Sequence, residues 1–400
     1  MRIFVLGVGA TGSLLAQLLR RQGHRVSCGD RDPERARRFL GTDSPIPVLE
    51  VNARNIERIV TAAQGTQLLI NACPAVLNKI ILRAALRLRT HYLDMAAHLA
   101  ENPFQAEQLR FETRFRDIRR TAVITAGVAP GLTNLLIAAG ADLLDTVETV
   151  HVRLYEATES DSPVSQWSAD VAFDEAVSQP RLYRQGHFRL GQRFSDREIF
   201  RFPAPIGPVG VVLAAQDEVV TVPHVIPLRT MDAKIGGADI EQLRRWYRQG
   251  KLRKSRGLVP AQFPRTPTPA RVHQLLHQGI LRNARFAAAV VVTGMKRGQP
   301  TLVRWDATVP SLYLLRRRGL LCSPIAWATA EMAALFVKHF PRTLSGVHPP
   351  EAFPAEIRQA ILHDASSRGI QLATRVTSAS PKKRSRASRA GLGVYRRLLP

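Results

Sequence analysis

At 400 residues, 45% of them hydrophobic, the chain is long enough for two domains with cores of their own, and no run approaches the ~18 uninterrupted apolar residues of a membrane span. The formal net charge is +25, but only eight of the 57 basic residues are lysine, and the arginines are spread along the chain without interleaved aromatics, so a dedicated nucleic-acid surface is not expected. Cys28, Cys73 and Cys322 form no CxxC pair, which fits a reducing, cytoplasmic setting; no metal site is expected.

In chain order, Arg2 to Leu6 predicts a buried strand, and Ser13 to Arg21 predicts a helix with leucines at 14, 15, 18 and 19. Arg2 ahead of apolar residues could suggest a leader, but strand and helix use all of them and no small-residue cleavage site follows. Between the two elements lies Gly7-Val8-Gly9-Ala10-Thr11-Gly12, a dinucleotide-binding fingerprint. Gly7 permits the tight turn, Gly9 lets backbone approach a pyrophosphate, and Gly12 lets helix and strand pack closely. The phosphates then face the N–H groups of Ala10 and Thr11 at the helix start. The second strand, His24 to Gly29, ends at Asp30, whose carboxylate can accept from both ribose hydroxyls and favours NAD over NADP. Arg31 and Arg35 pull the other way, because either could pair with a 2′-phosphate.

Strand and helix continue to alternate to about residue 146. Helices are expected from Pro33, over Ala53–Ala63, Ala75–Leu88 and Pro103–Arg120, and strands over Pro47–Val51, Gln67–Asn71, His91–Met95 and Ala122–Thr125. This is the pattern of an α/β fold, a doubly wound parallel Rossmann sheet over 1–146. From 147 to 320 longer alternating runs (Val150–Tyr155, Val209–Ala215, Glu218–Pro223, Phe286–Thr293) predict an α+β domain on a mostly antiparallel sheet, with a helix over Asp239–Gln249 and an exposed loop over Lys251–Pro269. Residues 321–376 hold an alanine-faced helix, Pro324–Phe340, expected to pack back on the first domain. Residues 377–400 read as a disordered basic tail, with seven basic residues from Lys382 to Arg397.

Three later blocks join the fingerprint. They are Leu69-Ile70-Asn71-Ala72-Cys73-Pro74 with His91-Tyr92-Leu93-Asp94, Gly127-Val128-Ala129-Pro130-Gly131-Leu132-Thr133-Asn134, and Gly346-Val347-His348-Pro349-Pro350-Glu351. Their order and spacing resemble the saccharopine dehydrogenase family of NAD(P)-dependent oxidoreductases. The resemblance implies hydride transfer at a C–N bond of an amino-acid-like small molecule with NAD or NADP, and a possible homodimer. The backbone of Asn71, Ala72 and Pro74, on the carboxyl edge of the sheet, is expected to line the cofactor's ribose. Asp94 could orient the nicotinamide side, bind a substrate ammonium, or simply cap the next segment. His98 is the first candidate for the proton-handling group, ahead of Asp94, Glu218 and His224. The turn Gly127, Pro130, Gly131 with Thr133 and Asn134 could hold a substrate carboxylate at a helix N-terminus, or be an N-capping turn. No paired basic cluster suits the three carboxylates of saccharopine, so a smaller amino acid, a polyamine precursor or another carbonyl compound stays open. The alternatives are a non-catalytic dinucleotide-binding regulator and an anion binder working through its basic tail.

Overall fold

The computed structural model describes residues 1–166, 168, 173, 176–252 and 264–378. Strand β1 (Arg2–Leu6) is buried on both sides: Ile3 and Val5 join one core, Phe4 and Leu6 another. A central strand covered by helices on both faces of a parallel sheet needs this continuous apolar run. Around it lie β2 (Arg25–Asp30), β3 (Val48–Glu50), β4 (Leu68–Asn71), β5 (His91–Asp94) and β6 (Thr121–Val123). The crossovers carry α1 (Ala10–Arg21), α2 (Pro33–Leu40), α3 (Ile56–Ala62), α4 (Asn78–Leu88) and α5 (Glu112–Asp117). Local chemistry sets their starts. Asp32 accepts the Arg35 N–H at 2.9 Å ahead of Pro33, and Asn55 accepts that of Arg58 at 3.1 Å, so the third helix opens at Ile56 rather than Ala53.

The buried helix α6 (Leu132–Ala141) leads into β7 (Thr146–Ser160), the centre of a second sheet. Its other strands are β8 (Arg181–Arg184), β9 (His187–Leu190), β10 (Glu198–Arg201), β11 (Pro208–Leu213), β12 (Thr230–Gly236), β13 (Leu281–Lys296), β14 (Gln299–Thr308) and, after β15 (Gly346–His348), β16 (Gln371–Ser378). The first sheet runs β15-β6-β5-β4-β1-β2-β3, all parallel; the second runs β10-β11-β12-β7-β13-β14-β16, with the β8–β9 hairpin paired to β12. The second sheet is antiparallel except where β7 pairs with β12. A short helix α7 (Glu218–Thr221) precedes β12, while α8 (Ala238–Arg248), α9 (Pro269–His277) and α10 (Leu312–Arg317) pack on β7 and β13. Helix α11 (Pro324–Lys338), begun by Ser323 and Pro324, lies against α1, and α12 (Ala355–Ser367) lies on α11. Val150, Val152 and Leu154 of β7 share one core with α1, α6 and α11, so the two sheets are joined by packed helices.

Three expectations are corrected. Glu218–Pro223 is helical rather than a strand: its β-branched run is buried on every side and packs against the start of α6, and this environment overrides strand propensity. Pro103–Arg120 is helical only from Glu107, because the chain from 95 to 106 is held as a loop by side chains. The Asn102 amide oxygen accepts from the Phe104 N–H, and Glu107 accepts from the Glu101 N–H. Thr377 and Ser378, expected in the tail, pair with β14 as the end of an edge strand. The rest of that tail, 379–400, and 253–263 of the expected loop lie outside the described residues.

Candidate functional site

The glycine turn is built by contacts that a sequence can only suggest. Gly7 has φ 95°, and a Cβ there would sit 2.8 Å from the Ala72 carbonyl; at Gly12 it would sit 2.0 Å from the Gly7 oxygen; at Gly9 it would meet nothing within 4 Å. Gly7 and Gly12 close the turn, and Gly9 leaves open space before the first turn of α1. That helix start has no side-chain cap and no acidic residue, so the N–H groups around Ala10 and Thr11 are left for a ligand. Asp30 is at the end of β2 as expected, but its carboxylate already holds the turn: the Val8 N–H donates to Oδ2 at 2.7 Å and the Asp32 N–H to Oδ1 at 3.0 Å. Arg31 beside it is exposed. Across the turn, Asn71 does not offer its side chain outward. Its amide donates to Asn78 and to the Tyr92 hydroxyl and its oxygen accepts from the Cys73 N–H, so it is the backbone of Ala72 and Cys73 that faces the glycines. Burial pushes the Cys73 thiol up to about 12, as befits a packing residue.

Asp94, at the end of β5, is 1% exposed. Its Oδ1 accepts the Thr125 N–H at 2.8 Å, and its Oδ2 accepts from the Tyr92 hydroxyl at 3.0 Å and the Gln108 amide at 3.1 Å. Burial pushes it up to about 7 against the pull of these donors. Both oxygens are therefore committed to fixing the ends of β5 and β6. Four residues on, His98 presents a partly exposed ring whose Nδ1 lies 3.0 Å from Glu107 Oε2, and the Glu107 side chain is fully buried. Burial raises Glu107, but hydrogen bonds from His98, the Glu101 amide and Lys79 outweigh it and hold the carboxyl low. A buried, ionised carboxylate thus fixes the orientation of the ring and leaves Nε2 outward.

The turn from Gly127 to Gly131, with a cis Ala129–Pro130 bond, is closed by a Gly127 N–H bond to the Pro130 oxygen at 3.0 Å. Beyond it, Thr133 and Asn134 are fully buried and their donors are taken. The Thr133 hydroxyl donates to Glu218, and the Asn134 amide donates to Glu351 at 2.9 Å and to the Thr221 hydroxyl at 3.2 Å. The helix start expected to receive a substrate carboxylate is occupied by the protein's own acids. Glu218 and Glu351 are both pushed up to about 7, chiefly by burial. Each keeps one buried oxygen without a partner among the described residues.

Asp217, next to Glu218, faces the loop after β5: its Oδ2 accepts the Ala97 N–H at 2.8 Å. The β8–β9 hairpin reaches the same loop. Arg181 Nε donates to the Pro103 oxygen at 3.3 Å, and Phe188 stacks on Phe104 with ring centroids 5.5 Å apart and 5.4 Å from the His224 ring. The structure therefore gathers Asp94, His98, Asp217 and Arg181 on the carboxyl side of the parallel sheet, where open α/β folds bind ligands. Among the described residues no group of three or more His, Cys, Asp and Glu suits a metal ion, and no helix is long and apolar enough to cross a membrane. A cleft of about 490 Å³ runs along α1 from Ala10, lined also by Leu14, Arg38, Val272 and Leu281, and contains none of these four side chains.

Residues 3–123, the span of the glycine turn and the first six strands, match the family model described as saccharopine dehydrogenase NADP binding domain. The N-terminal domain is thus similar to the dinucleotide-binding domain of the saccharopine dehydrogenase family. The fold of the whole chain is similar to that of apo saccharopine dehydrogenase (L-Glu forming) from Saccharomyces cerevisiae, with TM-score 0.69 at 11% identity, covering 94% of this chain and 99% of that one. It is similar also to homospermidine synthase from Legionella pneumophila in complex with NAD, with TM-score 0.68 at 14% identity, covering 98% of this chain and 94% of that one. At these identities the likeness is one of fold.

Within this saccharopine dehydrogenase-type fold, several groups escaped the sequence reading. Gln108 and Tyr92 hold Asp94, Glu107 holds His98, and Asp217, Arg181 and Glu351 come from segments distant in the chain. Glu107 carried a faint signal, an acid nine residues beyond His98 at a helix start; Asp217 and Arg181 carried none.

Proposed function

We propose that the protein is an NAD(P)-dependent oxidoreductase acting at a C–N bond of an amino-acid-like substrate. The carrying observation is the glycine turn, in which Gly7 and Gly12 are locked by backbone while Gly9 opens on unfilled space at an uncapped helix start. A nicotinamide dinucleotide bound there supplies hydride transfer, and the residues of this chain do the rest. Gly9, Ala10 and Thr11 hold the pyrophosphate, Asp30 and Arg31 meet the adenine-side ribose, and the backbone of Asn71, Ala72 and Pro74 lines the path towards the β5 end. Asp30 inclines the site towards NAD. His98, fixed by Glu107, takes or gives the proton of the reacting nitrogen or of an attacking water through Nε2. Asp94 is a positioning residue that holds the loops after β5 and β6, and the turn Gly127, Pro130, Gly131 with Thr133 and Asn134 supports the floor of the site.

Fluorescence titration with NADH and, in parallel, NADPH tests the reading, followed by turnover on a panel of amines and 2-oxo acids. Binding with turnover is expected. Binding without any turnover would instead fit a dinucleotide-dependent regulator, and binding of neither cofactor would end the oxidoreductase reading.

A further inference from the structure

The cleft of about 490 Å³ along α1 is of the size that encloses a small ligand, and the proposed hydride chemistry leaves it unused. Both domains build it. Leu14 and Gln17 of α1 and the last turn of α2 form one side, and β13, the start of α9 and the chain before α11 form the other. Leu14, Val272 and Leu281 make its walls apolar. The Gln17 amide donates to the Leu40 carbonyl at 2.8 Å, which ties α1 to the end of α2 and fixes one rim.

Charge in the cleft has one sign. Among the described residues that line it none is Asp or Glu, and the charged ones are Arg37 and Arg38. Both are exposed, and among the described residues neither side chain forms a hydrogen bond or an ion pair. Two helix starts on the same walls, Thr268 before α9 and Ser323 before α11, add their positive dipole ends to the field. Those starts already have caps: the Thr268 hydroxyl accepts the Arg271 N–H at 3.3 Å, and the Ser323 hydroxyl accepts the Ala326 N–H at 3.1 Å. The two guanidinium groups are thus the donors left for an anion. They also lie off the dinucleotide path. Helix α2 begins beside Asp30 and Arg31 and carries Arg37 and Arg38 about 6–7 Å further along its axis, while the cleft leaves Ala10 and follows α1 for about 10 Å to Gln17.

We propose that this cleft is a second ligand site, distinct from the cofactor path, and that it takes a carboxylate with an apolar body. The carboxylate meets Arg37 and Arg38, whose planar forks match its two oxygens, and the body displaces water from the walls at Leu14, Val272 and Leu281. Because the walls come from both domains, the bound acid braces one against the other. The site is independent of the oxidoreductase reading, since it needs neither NADH nor turnover.

Calorimetric titration of the full chain with decanoate and with 2-naphthoate tests it, with decyltrimethylammonium as the cationic counterpart. At least one of the two acids should bind, at one molecule per chain and at least tenfold more tightly than the cation. Joint replacement Arg37→Ala and Arg38→Ala should weaken that acid by about tenfold. Both side chains are exposed, so NADH affinity and the melting temperature of the unliganded protein should stay as in the parent. Ala270→Trp places bulk at an exposed position of the cleft wall and should weaken the acid at least as much by filling its space. The acid should bind equally well with saturating NADH present. Binding of neither acid, affinity unmoved in the double arginine variant or in Ala270→Trp, or a cation bound as tightly as the acid would overturn the site. Displacement of the acid by NADH would overturn it too, and would make the cleft part of the cofactor path.

Discussion

The glycine turn and the cluster between the two sheets are built in opposite ways. The turn is local: within its first 30 residues the chain supplies strand, glycines, helix start and acid, and the surfaces offered to a ligand are mostly backbone N–H groups. The cluster is assembled from residues around 94–108, 133–134, 181, 217–221 and 351, and nearly all its chemistry is in side chains. Backbone chemistry of the first kind forces glycine at set spacings and so leaves a mark in sequence. Side-chain chemistry of the second kind leaves none until the fold closes.

Substitution of the glycines gives the largest expected effects and breaks the comparison most directly. Gly9→Val points into open space, so the melting temperature should stay within a few degrees of the parent while NADH and NADPH binding are lost. Gly12→Val drives a side chain into the Gly7 carbonyl and should destabilise the domain itself, by about 3 kcal/mol or more. Thermal melts beside cofactor titrations separate the two; a Gly9→Val protein that binds NADH normally would remove the pyrophosphate from this turn.

In the cluster, His98→Gln should lower kcat by about 10²- to 10⁴-fold, the usual worth of a positioned acid–base group. Glu107→Gln keeps a hydrogen-bond partner for the ring but removes the fixed charge, and it should give a smaller fall in kcat with KM and NADH affinity unchanged. A fall in stability with kcat intact would make Glu107 purely structural.

Next in size is the pH dependence of stability. Glu218 and Glu351 lie near 7 in the fold, against an ordinary value of 4.5. Between about 4.5 and 7 the unfolded chain releases protons that the folded chain keeps, so their contribution to stability is fully present below 4.5 and is lost as pH rises through 7. Each carboxyl is worth about 3 kcal/mol over that window at most. Denaturant melts at pH 5 and pH 7.5 should show a smaller loss in Glu218→Gln and Glu351→Gln than in the parent. An equal loss in all three proteins would mean that neither carboxyl keeps its proton in the fold.

What the sequence made legible follows the same division. The strands of the first sheet could be read because each is an apolar run bounded by turn residues, and Pro33 and Pro324 marked their helix starts. The run Glu218–Pro223 misled, because burial on every side stabilises β-branched residues in a helical turn as well as in a strand. Thr133 and Asn134 were legible as a helix start, but only the fold shows that Glu218 and Glu351, 85 and 217 residues away from their respective partners, take their donors.

Asp30 lies on the boundary between the two kinds of site, and the smallest prediction concerns it. Its carboxylate is placed to meet a ribose, but it also anchors Val8 and Asp32, so Asp30→Ala would remove a ligand and a brace together. The unsatisfied Val8 N–H alone would cost about 1–3 kcal/mol of stability. Asp30→Asn largely separates the roles, because an amide oxygen still accepts from the buried Val8 N–H and only the part-buried Asp32 N–H loses its acceptor, while the charge that repels a 2′-phosphate is gone. The ratio of NADPH to NADH dissociation constants should fall about tenfold in Asp30→Asn, helped by the exposed Arg31, with a smaller fall in melting temperature than in Asp30→Ala. A ratio unmoved in Asp30→Asn, with a melting temperature that falls in Asp30→Ala, would make Asp30 a brace of the glycine turn and nothing more, and cofactor choice would pass to Arg31 and Arg35.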